Sequence, residues 1–156
     1  MATEDLTRVL DEAGVGYELL SHPRTETAAA EAEALGLSPA DVAKTLVVTT
    51  SDGFVRVVLA ASERIDVRKL REARGGGKRE VHLASEEDLA REYPEFDLGA
   101  VPPIGGARRD PVVVDSRLAR RESIVVEAGS HEQSVRIALA DLLRIADAQV
   151  ADVCVD

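Results

Sequence analysis

Two segments of the sequence combine residue types that could hold an anion or stabilise a developing negative charge. Lys44 stands between a turn-forming segment and an apolar run, so its ammonium is expected at a strand end, able to project into a cleft. The alternative is a lysine whose apolar stem covers the core while its charge stays in water. Residues 99–106 read Gly-Ala-Val-Pro-Pro-Ile-Gly-Gly, which can hold backbone N–H groups in a fixed arrangement that points at an oxyanion. A rigid connector is the alternative for this glycine–proline loop.

Other motifs fail on spacing. The stretch Gly75-Gly76-Gly77-Lys78 lacks the spacing, and the Ser or Thr after the lysine, that a phosphate-binding Walker loop needs. The histidines are scattered and have no cysteine partners, so no metal site is predicted. A Gly-x-Ser-x-Gly nucleophile motif is missing, and Cys154 stands alone. Covalent catalysis and metal catalysis are therefore both disfavoured, and no cofactor is expected.

Charge and aromatic content exclude a general nucleic-acid coat. The chain has 29 acidic against 19 basic residues, a formal charge of -10, and only 2 Phe and 2 Tyr for stacking bases. Basic residues nevertheless cluster in two segments. Residues 64–79 carry seven basic residues against two acidic ones, a local charge of +5, and residues 108–121 carry five arginines against two acidic residues, a local charge of +3. Each segment is either a basic face for RNA phosphates or an ordinary solvated helix face.

The sequence also bears on location. A single cysteine permits no disulfide within the chain, which favours a reducing compartment. The start Met-Ala-Thr-Glu-Asp is acidic, unlike a signal peptide, and no apolar run approaches the roughly 18 to 20 residues of a membrane-spanning helix. We expect a cytoplasmic protein.

The elements that must position these residues alternate along the whole chain. Helices are predicted at residues 6–13, 25–35, 66–73, 85–92 and 140–145, with one helical turn between Ser38 and Lys44. Strands are predicted at residues 17–20, 45–50, 54–60, 111–115, 123–128, 133–137 and 150–154. This mixture indicates a single α+β domain over residues 1–156, with one mixed sheet partly wrapped by helices.

Four segments together resemble a known family. They are Lys44-Thr45-Leu46-Val47-Val48 after Leu37-Ser38-Pro39-Ala40-Asp41-Val42-Ala43, the glycine–proline loop, Val112-Val113-Val114-Asp115, and Ala140-Asp141-Leu142-Leu143. In this order, over residues 6–153, they look like the YbaK/prolyl-tRNA synthetase-associated editing domain family. The resemblance implies a strongly curved sheet and a free-standing aminoacyl-tRNA deacylase that edits in trans. Its implied partners are the 3′ end of a mischarged tRNA and, as a further candidate, an aminoacyl-tRNA synthetase, with neither DNA nor a membrane.

The resemblance also implies roles for individual residues. The lysine matching Lys44 holds the terminal adenosine and its phosphate, and the loop supplies backbone contacts around the scissile ester. Hydrolysis of an ester needs a water and a place for the tetrahedral oxyanion, which the N–H groups of Ala100, Val101 and Ile104 could provide. Lys44 would act as a cation and positioner because an unperturbed lysine is protonated at neutral pH. The catalytic candidates are Lys44, Gly99, Ala100 and Val101.

A second set of residues is expected to bind the substrate. It comprises His22, Ile104, Gly105, Asp115, Gly129, Ser130 and His131. The turn at residues 129–131 matches the turn that lines the amino-acid pocket in the family, but it departs from the cysteinyl-specific members, whose turn is more glycine-rich and basic. Ser130 and His131 could contact a polar side chain or hold water, and His131 could act as an acid or base. The alternative is an exposed hairpin turn with a capping serine. Asp115 contacts the substrate amine or begins a turn, and His22 lies at the cleft mouth or in a surface turn. The alternative function is a catalytically silent module that binds tRNA ends or a synthetase.

Overall fold

The computed structural model describes residues 2–77 and 80–156. In that part of the chain the helices are α1 (Ala2–Glu12), α2 (Ala28–Leu35), α3 (Val67–Arg74), α4 (Glu86–Glu92) and α5 (Leu139–Ala146). The strands are β1 (Tyr17–Ser21), β2 (Ala43–Thr50), β3 (Gly53–Ala60), β4 (His82–Leu83), β5 (Val112–Asp115), β6 (Ser123–Ser130), β7 (Gln133–Ala138) and β8 (Gln149–Ala151). The predicted α+β class is confirmed. No helix among these residues is long and apolar enough to cross a membrane.

The strands form two sheets, where the sequence predicts one. The five-stranded sheet has the order β4-β2-β3-β5-β8 and is mixed, since β2 is antiparallel to β3 and β4 while β3, β5 and β8 are parallel. The three-stranded sheet, β1-β7-β6, is antiparallel. A parallel bridge between Val42 and Val125 links them. The single-sheet expectation is wrong because, among the described residues, β6 meets the chain just before β2 through this isolated bridge and not through a continuous ladder.

Each face of the five-stranded sheet covers a separate part of the core. Side chains alternate between the faces along each strand. The face that we call the core face packs against α1, α5 and the three-stranded sheet, and it includes Ala43, Val58, Ala60, Val112 and Val114. The face that we call the α3 face packs against Leu70 of α3 and the C-terminal segment, and it includes Val48, Val57, Leu59 and Val113.

Side-chain caps explain where the helices begin. Thr27 accepts from the Ala30 N–H at 3.1 Å and starts α2. Asp66 accepts from two N–H groups of the first turn of α3. Ser85 and Asp88 form a capping box at the start of α4, in which each side chain accepts from the other residue's backbone N–H. These local signals place the helix starts within a few residues of the predictions.

Two local features differ from the predictions. The segment after Ser38 forms an isolated turn and no helical turn, because the Asp41 N–H bonds to the Ser38 carbonyl at 2.9 Å and the chain then enters β2. The short strand β4 was not predicted, since it pairs only His82 and Leu83 with β2. Lys78 and Arg79, counted above in the basic segment, lie outside the described residues.

Candidate functional site

Asp97 joins the glycine–proline loop to the hairpin between β6 and β7. Its N–H donates to the Gly129 carbonyl at 2.8 Å. Its carboxylate accepts from the His131 N–H at 3.1 Å. Three residues predicted from distant segments, Gly99, Gly129 and His131, thereby meet at one place. We call residues 97–101 and 129–131 the loop–hairpin site.

The side chain of His131 is buried against the loop. Its Nε2 atom lies 2.6 Å from the Leu98 carbonyl oxygen. Since a carbonyl only accepts, Nε2 carries the proton, and Nδ1 of the neutral ring is left as an acceptor. Nδ1 has no hydrogen-bond partner within the described residues. The ring is thus fixed in orientation with one nitrogen open to a water or a substrate group.

Ser130 fills the turn of the same hairpin. Its hydroxyl accepts from the Glu132 N–H at 3.1 Å, which is the arrangement of a turn-capping serine. The adjoining chain is fixed as well, since the Thr25 N–H donates to the His131 carbonyl at 3.0 Å. The hairpin-turn interpretation of Ser130 therefore accounts for its contacts.

The backbone amides of the loop are not equally available. The Ala100 N–H donates to the Asp97 carbonyl at 2.9 Å, closing a tight turn. The Ala100 amide, predicted as an oxyanion donor, is therefore not free in this structure, because its proton is already bonded within the loop. Within residues 2–77 and 80–156, the N–H groups of Gly99, Val101 and Ile104 donate to no protein acceptor. Val101 and Ile104 are the donors left from the predicted set.

The second half of the loop is clamped by the body of the protein. A Cβ atom on Gly105 would lie 3.0 Å from the Asp5 carbonyl oxygen of α1. One on Gly106 would lie 2.7 Å from the Phe96 ring. Both glycines have positive φ angles, +95° and +91°, so no other residue fits either position well. The loop is a rigid feature of the fold.

Ile104 and Gly105 were predicted as substrate contacts, and the structure assigns both to packing. The Ile104 side chain is buried in the main core cluster beneath the loop. The Gly105 carbonyl accepts from the Arg56 guanidinium at 2.9 Å. Only the unpaired Ile104 amide remains as a possible contact, since its side chain faces inward.

His22 lies beside the hairpin, but both of its ring nitrogens are bonded within the protein. Its Nδ1 donates to the Pro23 carbonyl at 2.8 Å, and its Nε2 lies 2.9 Å from the Ser134 hydroxyl. The Ser134 hydroxyl in turn donates to the Glu31 carboxylate. His22 therefore has no ring nitrogen left for a substrate, and it ends a hydrogen-bonded chain that leads into the protein.

Two glutamates, the buried Glu31 and the half-buried Glu127, lie at the inner end of that chain, between α2 and the three-stranded sheet. Burial raises the pKa of Glu31 to about 7, although the Ser134 hydrogen bond lowers it in part. Burial and then repulsion from Glu31 raise the pKa of Glu127 to about 8. Each keeps one buried oxygen without a hydrogen-bond partner among the described residues. No group of three or more metal-ligating side chains occurs in that part of the chain.

Lys44 is partly buried at the amino end of β2. Its ammonium forms no hydrogen bond or ion pair with the described residues. Desolvation lowers the pKa of Lys44; the Cys154 thiol raises it by a smaller amount, and repulsion from the Arg64 guanidinium lowers it further. A partly desolvated ammonium with no partner is suited to bind an anion, because little has to be displaced.

Asp115 serves the fold. It is fully buried, with 0% exposure, and it accepts from the Val153 N–H at 3.1 Å and the Arg117 N–H at 3.2 Å. Burial, then the charge of Asp115, raises the pKa of the Cys154 thiol to about 12. The turn interpretation of Asp115 accounts for these contacts, which leave it closed to a substrate amine.

Lys44 and the loop–hairpin site lie on different faces of the five-stranded sheet. Lys44 alternates with Leu46 and Val48, which pack on the α3 face. Val101 instead packs against Val47, whose side chain points to the opposite side. The sequence interpretation expects the lysine and the loop to share a cleft, and the strand alternation separates them.

Basic side chains also line the α3 face. Arg68 and Arg71 lie on α3, and Arg64 precedes it close to Lys44. The Arg68 side chain is 70% exposed and meets Asp66 only at 3.5 Å, while Arg64 and Arg71 form no ion pair with the described residues. Lys69 of the same helix is neutralised by ion pairs with Asp152 and Asp156, so only part of the described basic segment is free to bind an anion on the side of Lys44.

Sequence reasoning missed two residues that organise the site. Asp97 lies in an ordinary loop and carries no sequence signal of its two contacts to the hairpin. Arg56 interrupts the valine-rich run of β3, and a charge within an apolar strand indicates a buried partner. This break in the apolar run is the feature of the sequence that identifies Arg56.

The fold is a two-sheet α+β domain in which a glycine–proline loop is fixed against a hairpin that carries a histidine. Comparison with known proteins finds a family with which this chain can be grouped. The family model described as "Aminoacyl-tRNA editing domain" matches residues 22–145. The chain therefore belongs to the aminoacyl-tRNA editing domain family, as the resemblance in sequence predicts.

Relatives and solved structures cover almost the whole chain. The multifunctional Ser/Thr-tRNA deacylase ProXp-y of Escherichia coli is 27% identical over 94% of this chain and 89% of its own length. EbsC of Enterococcus faecalis, a candidate Cys-tRNA(Pro)/Cys-tRNA(Cys) deacylase, is 27% identical over 94% and 90%. The crystal structure of hypothetical protein APE2540 is 27% identical with a TM-score of 0.88, covering 97% of this chain and 100% of that one. A candidate trans-editing enzyme for prolyl tRNA synthetase shares the fold at 24% identity, with a TM-score of 0.87 and coverage of 99% and 98%.

Proposed function

We propose that this protein is a single-domain deacylase that acts in trans and hydrolyses the ester between a wrong amino acid and the 3′ end of a tRNA. The observation that carries the proposal is the loop–hairpin site, where His131 is fixed against the start of the glycine–proline loop, whose Val101 and Ile104 amides are unpaired among the described residues. The family match and the names of the relatives support the same reaction class.

The chemistry follows from the available groups. A water bonded to Nδ1 of His131 attacks the ester carbonyl carbon, and the ring accepts the proton of that water. The carbonyl oxygen becomes an oxyanion, which the amides of Val101 and Ile104 stabilise, each such donor being worth roughly 2.7 to 4 kcal/mol. The proton then passes to the departing ribose oxygen, and the amino acid leaves as a carboxylic acid that loses its remaining proton to bulk water. No covalent intermediate and no metal are needed for these steps.

The tRNA is held on the α3 face. Lys44 and the arginines Arg64, Arg68 and Arg71 bind phosphates of the acceptor strand. The rest of the protein is acidic, since the whole chain carries -10. Repulsion from that surface limits binding to RNA in other orientations.

A deacylation panel tests the activity. Because the named relatives differ in their amino acids, tRNAs carrying cysteine, serine, threonine or alanine should all be offered to the purified protein. At least one ester should be hydrolysed faster than in buffer, and the ester hydrolysed fastest identifies the amino acid that the pocket accepts. A panel that stays intact at high protein concentration would sink the proposal.

The second candidate is a binding module without catalysis. The separation of Lys44 from the loop–hairpin site favours it, since a family member that edits is expected to bring its lysine to the ester. This candidate predicts that tRNA or a synthetase binds the protein while every aminoacyl ester remains intact. Binding measured beside the panel distinguishes the two.

A further inference from the structure

Arg56 lies in the middle of β3 with its side chain on the core face. Only 1% of it is exposed, and it pairs with Val47 of β2 and Val112 of β5. A guanidinium stays charged at any working pH, so its burial requires compensating contacts. The contacts of Arg56 therefore indicate its role in the fold.

One compensating contact is an ion pair. The Nε atom of Arg56 lies 3.1 Å from the Asp110 carboxylate, which is also buried. Asp110 is held in turn by the Tyr93 hydroxyl at 2.6 Å and by Nε of Arg108 at 3.2 Å. The guanidinium carbon of Arg56 also lies 5.3 Å from the centre of the Tyr93 ring. The ion pair is thus fixed on several sides.

The remaining N–H groups of Arg56 bind the backbone of the glycine–proline loop and the segment after it. They donate to the Pro102 carbonyl at 3.0 Å, the Gly105 carbonyl at 2.9 Å and the Arg108 carbonyl at 3.2 Å. Pro102 and Gly105 flank Ile104, whose amide is one of the two proposed oxyanion donors. One rigid side chain therefore fixes the backbone on both sides of that amide.

We propose that Arg56 is a positioning residue for deacylation, holding the Ile104 amide where the oxyanion forms. This inference rests on the proposed function. Arg56 touches no substrate and acts only through the loop. Lysine cannot replace it, because an ammonium lacks the planar fork that reaches a carboxylate and three carbonyls together.

Kinetics of Arg56→Lys test the proposal. Misplacing a catalytic group by about 1 Å costs roughly 100-fold, so kcat should fall by about that factor while KM stays near the wild-type value. Ile137→Ala is the matched control, because it removes a buried side chain near the end of β7 remote from the hairpin turn, where no contact with the substrate or tRNA is proposed. It destabilises the fold by about 2 to 5 kcal/mol, yet its kcat should be unchanged at a temperature where both variants are folded. A folded Arg56→Lys protein with wild-type kcat would overturn the proposal. An equal loss of kcat in the control variant would overturn it as well.

A second measurement is independent of activity. In amide NMR spectra, Arg56→Lys should shift the Ile104 and Gly106 resonances and speed their hydrogen exchange, while the Gly53 resonance stays in place. Unchanged loop amides would refute the positioning role even if no deacylase activity exists. If the resonances of the loop amides shift but the wild-type protein hydrolyses no ester, the proposed function is refuted while the structural role of Arg56 in fixing the loop is supported.

Discussion

Nε2 of His131 donates to the carbonyl oxygen of Leu98, the residue just before Gly99, over a distance of 2.6 Å. One hydrogen bond thereby fixes the tautomer of the ring and ties the hairpin to the start of the glycine–proline loop. The contact leaves Nδ1 as the basic atom. The proposed reaction depends on that assignment, and the first prediction tests it.

Replacing His131 with Gln should abolish most of the activity. A positioned general base contributes typically 10²- to 10⁴-fold, so kcat should fall within about that range. Stopped-flow or filter assays of deacylation measure it. His82→Gln is the control, since His82 is exposed on β4 and its replacement should leave kcat unchanged. Wild-type kcat in a folded His131→Gln protein would exclude Nδ1 as the base.

Gly99→Ala should impair activity more than stability. Its φ of +82° strains any side chain, but a Cβ would meet only the His131 ring, at 3.7 Å from Cε1. Gly14→Ala is a matched control, with φ of +70° and nothing within 4 Å. Thermal unfolding should show that both variants lose a similar amount of stability, about 1 kcal/mol each. Only Gly99→Ala should lower kcat, and equal kcat values would remove Gly99 from the site.

Lys44→Met should bind tRNA less well and be at least as stable as the wild type. Desolvation lowers the pKa of Lys44, so the charged form is disfavoured in the folded state. Its unfavourable contribution is present at neutral pH and disappears as pH rises through the folded-state pKa. Methionine keeps the apolar stem without the charge. A Tm below wild type at pH 7, or an unchanged KM, would contradict the functional interpretation of the lysine.

Charge reversal on α3 should weaken tRNA binding. Arg71→Glu should raise KM with little effect on kcat, and the salt dependence of log KM should lose about 0.7 to 0.9 per phosphate contact removed. Arg8→Glu is the control, because Arg8 is exposed on α1 and far from the α3 face. If both variants bind tRNA equally well, α3 is not the RNA surface.

Glu31 and Glu127 should make the fold less stable as pH rises. Their pKa values of about 7 and about 8 lie above the ordinary value of 4.5, so the folded protein holds protons that the unfolded chain has lost. The free energy of unfolding therefore declines between about pH 4.5 and pH 8, by up to roughly 1.4 kcal/mol per pH unit for each such proton. Denaturant unfolding at several pH values measures it.

Glu127→Gln should flatten that decline and raise Tm at pH 8, because the amide has no proton to lose. Glu33→Gln provides the control: it changes an exposed glutamate on α2 and should leave the pH profile as it is. A profile that is flat in the wild type would show that both carboxyls ionise freely.

Local features were predictable because they depend on neighbours in sequence. The cap at Ser85, the hairpin of β2 and β3, and the irregular glycine–proline loop follow from backbone preferences within a few residues. The helical turn after Ser38 was predicted from the same kind of signal and is absent, since the chain enters β2 instead. Local preference fails where strand pairing competes with it.

The sequence by itself determined the family, the α+β class and the segments that hold the candidate residues. Tertiary structure alone decided that His131 meets Gly99, that Asp115 turns inward, that the Ala100 amide is already bonded and that Lys44 faces away from the loop. The physical reason is strand pairing between distant segments. Alternation along β2 is visible in the sequence, but which face receives α3 and which receives the loop depends on packing across the whole chain.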